Sequence, residues 1–374
     1  MRRPKINRKS PAGIYNHPSM PTTVRSFAKI NLGLHIGGLR ADGFHELRTV
    51  YQTIALHDVI RVRVVRGSGI EILSNDPRVP TDSTNTCYRI VERAMAATGA
   101  SGRVSIDIEK KLPVQGGLGG ASANAVATLL ALERTLKKHL PGREKLRIAA
   151  EVGSDLPLFL LGGTILGVGR GEDVYPLPDF PATPCVVATP EIGVSTPTAF
   201  ADWDLLMGGE GAPARENAGK TATSVPSRPG SGADAAARLH VGNTKLTELS
   251  PSDRMNEFSR GISVWLSGAS GVPGSERRGR AETPLLDLVR TGIENDFEQV
   301  VFPQHPELRE VKRVLEREGA FYASLSGSGS AVYGLFRARA TAVRAAAWLR
   351  SRGTPAAATS TLTRRQYWQR IFDC

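Results

Sequence analysis

KKLPVQGGLGGASANAV, residues 110–126, packs four glycines into a loop with few side chains of its own. Upstream, Val104, Ile106 and Ile108 alternate with polar residues, the period-two pattern of a half-buried strand. Downstream, Asn124 opens AVATLLALERTL, rich in the alanine and leucine that favour a helix. The order strand, glycine loop, helix leaves backbone N–H groups free at the positive end of a helix dipole, a setting that favours an anion such as phosphate. Glycine permits the close approach because no Cβ intervenes. A tight strand-to-helix turn also uses glycine for shape alone, so spacing leaves both readings open. No Gly-Lys-Ser/Thr follows, which excludes a P-loop, and GxGxxG does not fit cleanly. A lysine for phosphoryl chemistry must then come from elsewhere in the chain.

The 374 residues suffice for two domains with their own cores. A net charge of +12 suits an anionic partner, but much of the excess is local. MRRPKINRKS at the start and the arginine-rich RATAVRAAAWLRSRG and LTRRQYWQRIF near the end carry it, and such runs are mostly solvated faces or loose tails. Cys87, Cys185 and Cys374 are far apart, with no CxxC or Cys/His ligand spacing, so neither a disulfide framework nor a zinc site is expected. The N-terminus lacks the apolar segment of a signal peptide. LPLFLLGGTILGVG, residues 156–169, is too short and too glycine-broken for a membrane span. The expectation is a soluble protein of the reducing cytoplasm with no membrane partner.

Residues 1–20, basic and without periodicity, are expected to form a disordered extension. From 21 to 182 strand and helix patterns follow closely. VRSFAKINLGLHIG, DVIRVRVV and VSIDI read as strands, and TCYRIVERAMAATG and REKLRIAAEVG as helices. A second region, 183–374, starts at PCVVAT and resumes with PLLDLVRTGIENDFEQVV. In PELREVKRVLEREGA, Leu308, Val311 and Leu315 share a helix face and Gly319 is the stop. The strands FYASL and AVYGLF then flank a glycine-serine turn. Residues from about 207 to 282, rich in Gly, Ala, Ser, Pro and charge, read as a low-complexity insertion, mostly disordered and without catalytic residues.

Three stretches carry candidate chemistry. In VRSFAKINLGLHI the apolar residues Ala28, Ile30, Leu32, Leu34 and Ile36 fall on even positions, so Lys29, Asn31 and His35 share the other face. That face is either ordinary exposed strand or a lysine–asparagine pair directed into a cleft. In EVGSDLPLFLLGG, Ser154 or Asp155 reads as a helix N-cap with Pro157 just inside. Asp155 equally reads as a carboxylate at a buried rim, able to accept a proton from a hydroxyl, and both can hold. SLSGSGSAV, residues 324–332, is a hairpin turn or a second wall of N–H groups and hydroxyls near phosphates.

The order AKINLGLH, RADGFHEL, PVQGGLGGASANAV, VGSDLPLFLLGG and LSGSGSAV closely resembles the GHMP kinase superfamily. AKINLGL with RADGFH and TVYQTI is specific within it to the 4-diphosphocytidyl-2-C-methyl-D-erythritol kinase family, rather than to the mevalonate, homoserine or galactose kinases. The resemblance spans most of residues 24–200 and 284–336. It implies an α+β, two-domain GHMP kinase fold. The N-terminal domain would be ribosomal-protein-S5-domain-2-like and the C-terminal one a ferredoxin-like α/β sandwich, with the active site in the cleft between them. It implies ATP as co-substrate, Mg²⁺ as the counter-ion of ATP with Ser122 able to approach it, and no metal site built by the protein. Pro113, Val114 and Gln115 would enter the loop around the ATP phosphates. Gly116, Gly117, Leu118, Gly119 and Gly120 would form its turn, and Ala121, Ser122 and Ala123 would lead into the helix.

By the same resemblance Lys29 and Asp155 are the catalytic pair, and Asn31, Phe44 and His45 line the pocket for the substrate's cytidine and diphosphate. Thr196 stands near the diphosphate, Phe200 stacks on cytosine, and Ser326, Gly327, Ser328 and Gly329 form a loop close to phosphates. The implied reaction is phosphorylation of a hydroxyl, the 2-hydroxyl, of 4-diphosphocytidyl-2-C-methyl-D-erythritol in the non-mevalonate route to isoprenoid precursors. The partner is that small molecule, in a monomer or homodimer. Gln115 and Ala121 depart from the smaller residues or glycine common there, and Phe44 replaces a common tyrosine. An RNA- or DNA-binding protein is the rival from another class, and no RNP-type aromatic cluster, zinc-finger spacing or other reader motif supports it.

Overall fold

The structure, a computed structural model, describes residues 20–208 and 294–372. All but the last residue of the expected 1–20 extension, and nearly all of the 207–282 insertion, lie outside the described residues, as does Cys374.

Two long strands organise the first body. β1 (Thr22–Leu39) and β2 (His45–Val65) pair antiparallel along most of their length, with register shifts after Phe27, Asn31 and Ile36. β3 (Ile70–Ser74) and β4 (Arg103–Glu109) extend the sheet beside the second half of β2, while β5 (Thr164–Val168) and β6 (Asp173–Pro176) extend it beside the first half. The helices α1 (Thr86–Thr98), α2 (Gly120–Leu136), α3 (Gly142–Val152) and the short α4 (Leu156–Phe159) supply the rest of this body. Leu129 and Leu132 of α2 pack in one core with Ile60, Ile106 and Ile90, all fully or almost fully buried. Truncating a leucine buried in this way costs about 2–5 kcal/mol.

The second body follows the order β7 (Pro184–Ala188), α5 (Thr196–Leu206), α6 (Glu298–Gln304), α7 (Pro306–Arg317), β8 (Tyr322–Leu325), β9 (Val332–Leu335), α8 (Arg339–Ser351) and β10 (Ala356–Ser360). Its sheet is antiparallel in the order β10-β7-β9-β8, the split βαβ arrangement of a ferredoxin-like sandwich. Both bodies match the expected α+β architecture. The end of the chain, α9 (Arg364–Arg370), returns to the first body, where Leu362, Tyr367 and Ile371 enter its core. Its N-cap Thr363 and Gln366 form a reciprocal capping box.

The parity of β1 sets the relation between the bodies. Ala28, Ile30 and Leu32 face the C-terminal sheet and pack with Val187, Tyr333 and Leu335. Tyr333 and Tyr322 donate hydroxyl hydrogen bonds to the backbone oxygens of Asn31 and Leu32, at 2.7 and 2.8 Å. The other face is not an exposed strand face: Lys29, Asn31 and His35 are each at most 4 % accessible. A strand sandwiched between two bodies has no solvent side, and period-two reading assigns one only to an ordinary sheet surface.

Candidate active site

The glycine loop is held on three sides. The Lys29 N–H donates to the Leu118 oxygen at 3.0 Å, the Ala331 N–H to the Gly116 oxygen at 3.2 Å, and the Ser326 hydroxyl to the Gly117 oxygen at 3.0 Å. A Cβ on Gly117 would lie 2.1 Å from the Ser326 oxygen, so the SLSGSGSAV turn and the glycine loop touch through backbone. Gly119, in the left-handed region at φ 68°, is the N-cap of α2 and makes no side-chain cap bond. Helix α2 therefore begins at Gly120, four residues before the Asn124 expected from sequence, because a left-handed glycine lets the helix start inside the loop. Ala121, Ser122 and Ala123 form its first turn, whose N–H groups have no intrahelical acceptor apart from the Ala123–Gly119 bond.

Behind this loop lies a cavity of about 310 Å³, reached by Asn85, Lys110 and Ser122. The loop entry is fixed by Asp58, which is fully buried. Its carboxylate accepts from the Lys110 ammonium at 2.6 Å and from the Lys111 and Leu112 N–H groups at 2.7 Å each. Cys87, beside the same cavity, is a buried free thiol whose pKa burial pushes up to about 12.

On the other side of Gly117 and Gly119 opens a larger cavity of about 670 Å³. It brings together Lys29, Asn31, Asp155, Phe44, His45 and Thr196, with Phe200, Gly327 and Ser328 also on its wall. Lys29 donates to Asn31 Oδ1 at 2.7 Å, and Asn31 Nδ2 donates to the Thr49 hydroxyl at 2.8 Å. Asp155 Oδ2 lies 3.5 Å from Lys29 Nζ. Asp155 is the N-cap of α4 with Pro157 in the first turn, yet its side chain makes no cap bond. The backbone position is that of a cap and the carboxylate is left facing the cavity.

At the far end, the His45 and Phe200 rings stack with centroids 5.1 Å apart and planes 1° apart. His45 Nε2 lies 3.2 Å from Asp204 Oδ1. Phe44, half exposed, carries the Arg170 guanidinium 4.9 Å from its ring centre. The Thr196 and Ser328 hydroxyls are 2.7 Å apart, linking α5 to the glycine-serine turn. Ser195 caps α5 by accepting from the Thr198 N–H, and Pro197 occupies its first turn, which sets Thr196 and Phe200 on the cavity side.

Sequence reasoning missed several residues of this site. Tyr51 donates to Asp155 Oδ1 at 3.1 Å. Asn295 donates to the Leu325 and Gly327 oxygens at 2.9 and 2.7 Å and so holds the glycine-serine turn. Arg170 and Asp204 line the larger cavity. TVYQTI contains Tyr51, but its relation to Asp155 depends on a strand register that no local pattern reports. Among the described residues no group of three or more His, Cys, Asp or Glu is placed to hold a metal ion, and no helix is long and apolar enough to cross a membrane.

The glycine loop thus leads into the N-terminus of α2, and the Lys29–Asp155 pair stands beside it on the wall of the larger cavity. The GHMP kinases N terminal domain family matches residues 85–163 and the GHMP kinases C terminal family matches residues 282–353. The 4-diphosphocytidyl-2-C-methyl-D-erythritol kinase of Solibacter usitatus is 37 % identical over 86 % of this chain and 83 % of its own length. That of Heliobacterium modesticaldum is 34 % identical over 88 % and 90 %. A crystal structure of 4-(cytidine 5'-diphospho)-2C-methyl-D-erythritol kinase, 27 % identical, superposes with a TM-score of 0.62 over 91 % of this chain and 98 % of that one. Homoserine kinase from Cytophaga hutchinsonii, at 18 % identity and a TM-score of 0.61, shares the fold. The chain belongs to the 4-diphosphocytidyl-2-C-methyl-D-erythritol kinase family of the GHMP kinases.

Proposed function

We propose that the protein transfers the γ-phosphoryl group of ATP to a hydroxyl of 4-diphosphocytidyl-2-C-methyl-D-erythritol, the 2-hydroxyl, in the non-mevalonate supply of isoprenoid precursors. The observation that carries this is the Lys29–Asp155 pair, 3.5 Å apart, in a cavity bounded by the glycine loop at one end and by Phe44 and Phe200 at the other. ATP enters as its Mg²⁺ complex, with the phosphates against the N–H groups of residues 116–123 and the first turn of α2. The Ser122 hydroxyl, in that turn, is the side chain that would approach the ion, which would shield the phosphate charge.

Phosphoryl transfer passes through a loose transition state, so position and charge do most of the work. Lys29 neutralises charge that develops on the transferring group, and its bond to Asn31 keeps the ammonium aimed there. Asp155 orients the acceptor hydroxyl and takes its proton as the new bond forms. Phe44 and Phe200 supply apolar ring surface for cytosine, His45, held by Asp204, backs Phe200 by stacking on it, and Thr196 with Ser328 supplies hydroxyls for the diphosphate. The glycine loop meets residues 326–329 at Gly117, so the two phosphate-bearing ligands would meet across that residue.

Product analysis by ³¹P NMR tests the reading. One new phosphomonoester on the methylerythritol moiety, with the ribose hydroxyls unmodified, is expected. Phosphate on the ribose, or phosphorylation undiminished in Asp155→Asn, would contradict it.

A further inference from the structure

Tyr51, 2 % accessible, stands on β2 directly opposite Asn31 of β1. Its hydroxyl donates to Asp155 Oδ1, while Asp155 Oδ2 faces the Lys29 ammonium. The same ammonium lies 5.5 Å from the centre of the Tyr51 ring, within cation–π range. One side chain thus touches both members of the pair.

The fit around Tyr51 is close. A Cβ on Gly167 would sit 2.4 Å from Tyr51 Cε2, and a Cβ on Gly171 would sit 2.4 Å from the Tyr51 hydroxyl oxygen. Gly167 and Gly171 therefore form a socket that admits the ring and its hydroxyl and no side chain of their own. Burial, reinforced by the Asp155 charge, pushes the phenol pKa well up, so the hydroxyl remains a donor.

Asp155 needs such a partner. Helix α4 is only four residues long and does not use the carboxylate as a cap, and the side chain is one-third exposed. A carboxylate on two rotatable bonds samples several staggered rotamers unless something selects one. We infer that Tyr51 is a positioning residue, its hydroxyl fixing one oxygen of Asp155 so that the other faces Lys29 and the acceptor hydroxyl. The inference deepens the proposed reaction and rests on the role given there to Asp155.

Four enzymes test it: the parent, Tyr51→Phe, Asp155→Ala and the double variant, assayed for ADP release with both substrates saturating and varied. Phenylalanine keeps the ring in its socket, so the thermal midpoint is expected to stay close to that of the parent. Losing a hydrogen bond to a charged group is expected to lower kcat about tenfold, with both KM values within about twofold. In the Asp155→Ala background the same change is expected to cost nothing further, because the hydroxyl has no carboxylate to hold. A kcat for Tyr51→Phe within twofold of the parent would overturn the inference. An equal loss in both backgrounds would overturn it too, by assigning the tyrosine to packing alone. Near-parental turnover by Asp155→Ala would overturn the underlying role of Asp155, an outcome visible without any tyrosine variant.

Discussion

Lys29 reaches the cavity because it occupies an odd position in a stretch whose even positions from Ala28 to Ile36 are all apolar, and that much was legible from alternation alone. Its burial was not, since the covering body comes from sequence far downstream. Replacing Lys29 with alanine is expected to lower kcat about 10²–10³-fold, with the Kd for the cytidyl substrate changed far less; a calorimetric titration beside steady-state kinetics separates the two. Asp155→Asn keeps size and polarity while removing the base, and a loss of about 10²–10⁴-fold in kcat is expected. Turnover of either variant within a few-fold of the parent would remove that residue from the chemistry. Asp155 was ambiguous in sequence because a cap and a catalytic carboxylate favour the same local pattern; in the structure it holds the cap position without a side-chain cap bond. Tyr51 was hidden for a different reason. Its place opposite Asn31 follows from a pairing with three register shifts, and each shift changes which side chains share a face.

At the scale of elements, the glycine loop turns on two glycines in the left-handed region, Gly117 and Gly119. Gly117, at φ 71° and against the Ser326 oxygen, is the stricter position. Gly117→Ala is expected to raise the KM for ATP at least about tenfold and to lower stability by about 1–3 kcal/mol from the left-handed conformation alone; kinetics and denaturant unfolding read the two effects separately. Sequence foretold the strand–loop–helix order, but not that α2 starts at Gly120, since helix propensity points to Asn124 and beyond. A second element effect concerns α4. The Tyr367 hydroxyl donates to the Phe159 oxygen at 2.7 Å and the Trp368 indole N–H to the Leu161 oxygen at 2.9 Å, so α9 clamps the end of the short helix that follows Asp155. Tyr367→Phe leaves a buried carbonyl without this donor, and a loss of about 1–3 kcal/mol in unfolding free energy is expected.

Across the whole molecule, the chain closes on itself. β1 runs from the first core into the second, where Leu34 and Ile36 pack with Phe297 and Leu325, and the Ile36 N–H donates to buried Asp296 at 2.8 Å. The last residues return the other way: the Leu362 N–H donates to the Thr53 oxygen and Gln52 Nε2 to the Leu362 oxygen, both at 2.8 Å. Removing everything after Ser360 would strip Leu362, Tyr367 and Ile371 from the first core. At about 1.5–3 kcal/mol per buried apolar side chain, the loss of about 5–9 kcal/mol rivals the whole stability of a typical domain. The truncated chain is expected to unfold tens of degrees lower by calorimetry, or to fail to accumulate folded. The sequence shows two patterned regions, yet it had no means of assigning the terminal helix to the first body: LTRRQYWQRIF reads as an arginine-rich solvated face or loose tail, whereas Leu362, Tyr367 and Ile371 enter the first core. ADP release from MgATP tests the choice of substrate most directly, with 4-diphosphocytidyl-2-C-methyl-D-erythritol run beside mevalonate, homoserine and galactose. Turnover with the cytidyl substrate alone is the predicted result; turnover with one of the other alcohols, and none with the cytidyl compound, would contradict it.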